Sequence, residues 1–248
     1  RRLRRHHFGF APDARMQGLA LRQTMVSMNR TAPSLSTRAM AAPLVALAFL
    51  VLAHVIWLVL PAQATMALMS EHGLVEGLNV ALYVAVAALV VLWRRPEDDW
   101  RLWTSLAIVM LAFAAREMDW HKAFTGTSVL KFSFFLRDGE PLHRVVAGAV
   151  LLPVALASAY LVLRQGPGLL GSLRRLDPVA VTVVVFAVTL VVGKIADRAP
   201  AILAEEHGIL LSANVRAWQT SIEEVMELAL AFLVALGAWQ HRRRDPMP

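Results

Sequence analysis

Long apolar runs separated by short polar stretches dominate the chain from residue 41 onward. The runs are continuously apolar, and a helix needs about 20 such residues to cross the hydrocarbon of a bilayer. The pattern predicts an all-α polytopic membrane bundle of six transmembrane helices within residues 40–240. The predicted spans are Ala41–Leu60, Leu74–Trp93, one beginning at Leu102, Val145–Leu163, one beginning at Pro178, and one ending at Trp239.

Proline and glycine refine this pattern. Pro178 suits the first turn of a helix, and Pro153 predicts a kink within the fourth span. Gly166-Pro167-Gly168 predicts a cytoplasmic turn. Arg38, the first run and Ala62-Gln63-Ala64 also resemble a cleavable secretory signal, an alternative that leaves the rest of the topology unchanged.

Composition supports a membrane protein. Of 248 residues, 57% are hydrophobic and 17% charged, and the mean hydropathy is +0.54, whereas typical soluble domains have about 45–50% and about 25%. So few charged residues would not cover a soluble core of this size. The absence of cysteine excludes disulfides, iron–sulfur clusters and thiol catalysis.

The basic residues predict the orientation of the bundle. The chain carries 25 Lys and Arg against 18 Asp and Glu, a net charge of +7, and the excess lies in blocks beside the apolar runs. The positive-inside rule therefore places both termini in the cytoplasm, which requires an even number of spans. Residues 1–39 and 241–248 are predicted to be basic cytoplasmic tails, the first of them flexible. The Arg-rich composition suggests a bacterial inner-membrane protein, with the bilayer rather than nucleic acid as its partner.

Three of the spans run out of apolar residues too early. Leu102–Ala115, Pro178–Gly193 and Leu228–Trp239 are all shorter than the length that a span needs. Completing them draws charged residues into one end of the membrane, on the periplasmic side of the predicted topology. Counting the adjoining residues, these are Arg116, Glu117, Asp119, His121, Lys122, Lys194, Asp197, Arg198, Glu223, Glu224 and Glu227, joined by Glu76 and Asn79 from the second span.

These ionisable groups are candidates for a functional site, because lipid tails do not solvate them. Seven carboxylates face four Lys and Arg residues, so the surplus negative charge must be solvated, protonated or matched by a bound cation. We expect the groups to converge on a shared polar chamber. The candidate catalytic residues are Glu117, His121, Glu227 and Lys194, and the candidate substrate-binding residues are Arg116, Arg198, Asp119 and Glu76.

Spacing suggests a metal site among the same residues. Glu117 and His121 are four residues apart, as are Glu223 and Glu227, so each pair is predicted to share a helix face. Carboxylate and imidazole groups bind zinc, iron or manganese without choosing among them. The candidate ligands are Glu117, His121, Glu224 and Glu227.

Structural alternatives exist for several of these residues. Ser221-x-x-Glu224 and Thr220-x-x-Glu223 have the spacing of a capping box, which would start a helix there. Glu76, close to the start of its span, is also favoured by the helix dipole. Residues 123–142 and 199–219 are predicted to be outer loops that cover the chamber or contact acyl chains.

Three functions fit the pattern. The first is a metal-assisted or acid–base enzyme acting on a lipid or other amphiphile. The second is a proton-coupled transporter or substrate-binding membrane protein, and the third is a non-catalytic subunit or assembly factor with a membrane-protein partner. The sequence lacks phosphate-binding, nucleophile-elbow and zinc-protease motifs.

Overall fold

The computed structural model of the protein describes residues 37–70, 73–123, 126, 128–129 and 133–243. Every regular element within these ranges is helical. The predicted basic tail lies outside them except for its last three residues, which are helical, and so do the last five residues of the chain. The elements are α1 (Thr37–Val59), α2 (Ala62–Leu68), α3 (Leu74–Leu92), α4 (Trp100–Glu117), α5 (Trp120–Ala123), a π-helical turn (Phe134–Asp138), α6 (Pro141–Arg174), α7 (Pro178–His207) and α8 (Ala213–Arg242).

Four of these helices, α1, α3, α6 and α7, are long and apolar enough to cross a membrane. They leave many large aliphatic side chains exposed, including Leu58 on α1 and Leu163 on α6. A soluble surface rarely tolerates apolar faces of this extent, whereas lipid covers them without cost. The all-helical class is therefore confirmed, and the four apolar helices are compatible with a membrane protein.

Helix α8 forms the centre of the bundle. It packs against α1, α3 and α7, while α3 packs on α4 and α4 on α6. One apolar cluster joins α3, α4 and α8 around Tyr83, Met110 and Leu230. A second cluster, which includes Met69 and Val225, joins α1, α2, α3 and α8. The helix with the most glutamates in its middle is thus the helix most enclosed by protein, as expected where lipid surrounds the bundle.

The N-terminus of α8 corrects one prediction. The helix begins at Ala213, where the Ser212 side chain accepts a hydrogen bond from the backbone N–H of Val215. The predicted capping box at Ser221 is wrong because this earlier cap starts the helix more than two turns upstream. Ser221 is instead buried and donates a hydrogen bond to the carbonyl oxygen of Ala53 on α1 at 2.9 Å.

Two predicted non-helical stretches are also helical. Helix α6 continues through Gly166-Pro167-Gly168, so the predicted turn there is wrong. An exposed proline removes only one intrahelical hydrogen bond, which a long helix tolerates. Helix α7 continues to His207, so the first part of the predicted loop 199–219 is helical; it ends at Gly208, whose φ of 64° suits glycine. Pro178 does occupy the first turn of α7, as predicted.

A side-chain contact between Asp98 and His241 fastens the loop between α3 and α4 to the C-terminus of α8. The Asp98 carboxylate accepts a hydrogen bond from the backbone N–H of Arg95 at 2.9 Å and lies 3.1 Å from Nε2 of His241. Burial alone would raise the pKa of Asp98, but these two contacts hold it below its usual value. The His241 ring also meets Trp103 edge-on.

We expect Asp98→Asn to destabilise the protein by about 1 kcal/mol at neutral pH, because a charged acceptor is lost at a half-buried position. Since the folded pKa is the lower one, the stabilisation is complete above the unfolded pKa of about 3.9 and disappears as the pH falls through the folded value. In denaturant unfolding, the free energies of unfolding of wild type and variant should therefore become equal at low pH. The exposed Glu97→Gln is the control, and a constant difference at all pH values would contradict the role of Asp98.

Candidate functional site

The carboxylate of Glu227 lies at the centre of the candidate site. The residue is 3% exposed, inside the bundle on α8. Its Oε1 atom is 2.8 Å from Nη1 of Arg116 on α4 and 3.2 Å from Nζ of Lys194 on α7. The hydroxyl of Tyr83 on α3 donates to the backbone carbonyl of Glu227 at 2.8 Å. Four helices thus meet at one residue.

Two further carboxylates lie beside Glu227. Carboxylate oxygens of Glu117, Glu224 and Glu227 all lie within 4.8 Å of one another. Nη1 of Arg116 also contacts Oε1 of Glu117 at 3.2 Å, so a single guanidinium nitrogen serves two carboxylates. The Nδ2 group of Asn79 approaches Oε2 of Glu224 at 3.3 Å. We call Glu117, Glu224 and Glu227 the carboxylate centre.

Polar contacts continue from the carboxylate centre along the interface of α7 and α8. Lys194 pairs with Asp197 one turn along α7 at 3.2 Å. The Gln219 side-chain amide donates to Oε2 of Glu223 at 2.8 Å and to the carbonyl oxygen of Ala196 at 2.9 Å. These bonds fix the register of α7 on α8 and thereby the position of Lys194 over Glu227.

The charges of this region do not balance. Three carboxylates form the centre, and Glu223 and Asp197 adjoin it, which makes five; only Arg116 and Lys194 pair with carboxylates of this group among the described residues. Like charges this close in a medium of low dielectric constant do not all remain ionised without compensation. The region therefore needs protons, a cation or both.

The amide of Asn79 borders the carboxylate centre. Asn79 is fully buried, and its Oδ1 atom has no hydrogen-bond partner among the described residues. An unsatisfied buried amide oxygen is costly, and hard cations bind such oxygens together with carboxylates. The Asn79 amide presents its Nδ2 group to Glu224, so the three carboxylates of the centre supply the oxygen donors for a divalent cation.

The structure brings together five of the predicted site residues and separates others. Glu117, Glu224, Glu227, Arg116 and Lys194 all lie at the carboxylate centre.

The remaining predicted residues are distributed more widely. Asp119 pairs with Lys122 at 2.8 Å, with both side chains nearly half exposed. Glu76 lies in the first turn of α3, where the helix dipole favours it. Arg198 is exposed on α7.

The prediction that Glu117 and His121 share one helix face is wrong. Helix α4 ends at Glu117, and Asp119, with φ of 53°, separates it from the short helix α5. A left-handed residue changes the direction of the chain, so the spacing of four does not place the two residues on one helix face. The backbone of His121 lies in α5, and its side chain falls outside the described part of the structure.

Sequence reasoning missed Tyr83 and Gln219. Tyr83 follows Asn79 by four residues on an otherwise apolar helix and is one of two tyrosines in the chain, which is a signal for a polar stripe on that face. Gln219 precedes Glu223 by the same spacing. In both pairs the spacing of four residues predicts that the two polar side chains share one face of a helix.

Comparison of the chain with protein-family models, with curated proteins and with solved structures finds no match.

Proposed function

We propose that the chain crosses a bacterial inner membrane six times, with both termini in the cytoplasm and the carboxylate centre toward the periplasm. In this topology α4 and α8 are the two spans that join the four apolar helices. Their 18 and 30 residues correspond to about 27 and 45 Å, close to or above the thickness of about 30 Å for the hydrocarbon. Their buried charges support this topology, because Arg116, Glu117 and Glu227 contact one another rather than lipid.

We propose that the protein is an enzyme that uses the carboxylate centre, with a divalent cation, for acid–base chemistry on a lipid or other amphiphile. The observation that carries this proposal is the approach of three carboxylates from two helices to within 4.8 Å in the interior of the bundle. An oxygen-only ligand set favours manganese over zinc among the metals that the sequence suggested.

Each residue of the centre has a distinct task in this proposal. Glu117 and Glu224 would hold the cation, and Glu227, already tied to two basic side chains, would orient Arg116 and Lys194 toward a bound anion. A bound divalent cation would polarise the substrate or lower the pKa of a ligated water. Lys194 is 38% exposed in its side chain and is therefore the group best placed to meet a substrate from outside.

Proton-coupled transport is the second candidate. It is favoured by the sharing of Glu227 between Arg116 and Lys194, which are carried on different helices. Protons instead of a metal would then neutralise the surplus carboxylates, and exchange of the Glu227 partners would accompany helix movement. Metal analysis separates the two candidates.

The experiment is a manganese titration of the purified protein after chelation, followed by elemental analysis. We expect one equivalent of bound metal in wild type and at least about a tenfold weaker affinity in Glu117→Gln or Glu224→Gln, because each removes a charged ligand. Glu140→Gln is the matched control, since the Glu140 side chain is 79% exposed. An absence of bound metal in wild type, or an equal loss in the control, would contradict the metal proposal.

A further inference from the structure

A shallow groove of about 700 Å³, open on one side, runs along an exposed face of α7, and all of its lining side chains belong to this helix. Most of its lining is aliphatic, and Val191 and Ile195 are more than half exposed. Helix α6, the next helix along the chain, packs mainly on α4 and touches α7 only sparsely, so this face stays open to the membrane. The side chains that line the groove include Leu190, Val191, Lys194, Ile195, Arg198 and Ile202.

Two cations enter this apolar groove one helical turn apart. Lys194 belongs to both sites, since its side chain lines the groove while its Nζ atom lies 3.2 Å from Oε1 of Glu227 and 3.2 Å from Oδ2 of Asp197. Arg198 therefore carries the positive charge that a bound anion would neutralise. Arg198 is exposed and forms no ion pair with any residue that the structure describes. A guanidinium against a lipid-facing surface is costly unless an anion or water meets it.

In the proposed topology, with the hydrocarbon beginning at Pro178, Arg198 lies at the level of the lipid headgroups. Counted at 1.5 Å per residue from Pro178, Lys194 lies roughly 24 Å and Arg198 roughly 30 Å along α7, which brings Arg198 to the far edge of a hydrocarbon layer of about 30 Å. Leu190 and Val191 lie deeper, at the depth of acyl chains. Apolar side chains line the groove on both sides of the two cations, with Leu190 and Val191 before them along α7 and Ile202 after Arg198. An anionic headgroup at the cations would therefore have an aliphatic surface beside it for an acyl chain.

We propose that this groove binds one anionic phospholipid-type amphiphile. Its phosphate lies between Lys194 and Arg198, and its acyl chain runs along Leu190 and Val191. Arginine recognises phosphate oxygens bidentately, and the aliphatic wall covers the chain. Binding of this amphiphile does not depend on the proposed function. Only its identification as the substrate rests on that function, because Lys194 would then hold it next to Glu227.

The test is a lipid titration of the purified full chain in neutral detergent with EDTA present, followed by native mass spectrometry. The probes are phosphatidylglycerol and phosphatidylcholine with identical acyl chains. We expect wild type to prefer phosphatidylglycerol by about tenfold, and Arg198→Gln to reduce that preference to about twofold or less. Lys122→Gln is the matched control, since it removes a half-exposed cation elsewhere and should keep the full preference.

Two further measurements define the occupant. Val191→Trp places a large ring on the exposed apolar wall and should weaken binding of both lipids without unfolding the protein. Inorganic phosphate at millimolar concentration should not displace phosphatidylglycerol, because a free anion lacks the chain contacts.

Equal binding of both lipids by wild type, an unchanged preference in Arg198→Gln, or displacement by phosphate would overturn the proposal. Because EDTA removes divalent cations, this result is independent of the metal titration. If the lipid titration shows the expected preference while the manganese titration shows no bound metal, the metal proposal is overturned and the lipid-binding proposal is supported.

Discussion

Glu227→Ala is expected to cause the largest loss of stability of any single substitution in the carboxylate centre, about 3–5 kcal/mol. The carboxylate is 3% exposed and is the shared partner of Arg116 and Lys194. Its removal leaves two cations in the bundle with only Glu117 and Asp197 as partners, and it opens a cavity at the crossing of α4, α7 and α8. Unfolding of the purified protein in mixed micelles measures the effect.

Conservative and compensating variants separate charge from packing. Glu227→Gln retains the volume of the side chain and should recover only part of the loss, because the amide does not neutralise Arg116. The combined Glu227→Met, Arg116→Met and Lys194→Met variant should recover most of it, since a buried ion network is often replaceable by apolar side chains of similar size. Glu140→Ala is the exposed control. A loss of stability below about 1 kcal/mol in Glu227→Ala would contradict the prediction, because ion pairs of that strength are typical of solvent-exposed positions.

The broad placement of the charges could be predicted from the sequence. The ionisable residues of α3 and α4 lie near the helix ends that a bundle of alternating helices brings together, whereas Lys194 and Glu227 lie in the middle of the longer helices α7 and α8. The contacts of Glu227 with Arg116 and Lys194 follow the expectation that these groups converge. The physical reason is simple: an apolar run shorter than the membrane must be completed by polar residues, and these avoid lipid by facing one another.

Helix ends were less predictable because local signals competed with packing. Ser221 has the residue type and spacing of a cap, yet its hydroxyl donates to Ala53 on α1, and Ser212 caps the helix instead. The left-handed conformation of Asp119 separates Glu117 from His121, and no glycine marks that position in the sequence. The contact of Ser221 is a tertiary one, which the sequence of a single helix does not encode.

Arg116→Gln is expected to increase the affinity of the carboxylate centre for manganese by at least about tenfold. Nη1 of Arg116 contacts Glu117, a proposed ligand of the cation, at 3.2 Å and Glu227 at 2.8 Å, so its positive charge opposes a cation at the carboxylate centre. A unit positive charge about 5 Å from a divalent ion opposes binding by several kcal/mol at an effective dielectric constant of about 20. Part of this gain is offset because, without Arg116, the carboxylates take up protons that the cation must displace.

The same substitution makes folding depend on the cation. Without metal, Arg116→Gln should lose about 3 kcal/mol, because the carboxylates lose the cation that they share. Manganese at about 100 times its Kd should return about 2.7 kcal/mol, since a ligand that binds only the folded state stabilises it by mass action. Arg198→Gln, which leaves the carboxylate centre intact, is the control and should respond to manganese as wild type does. If manganese restores nothing to Arg116→Gln, the three carboxylates bind protons rather than a metal, and the transport proposal becomes the stronger one.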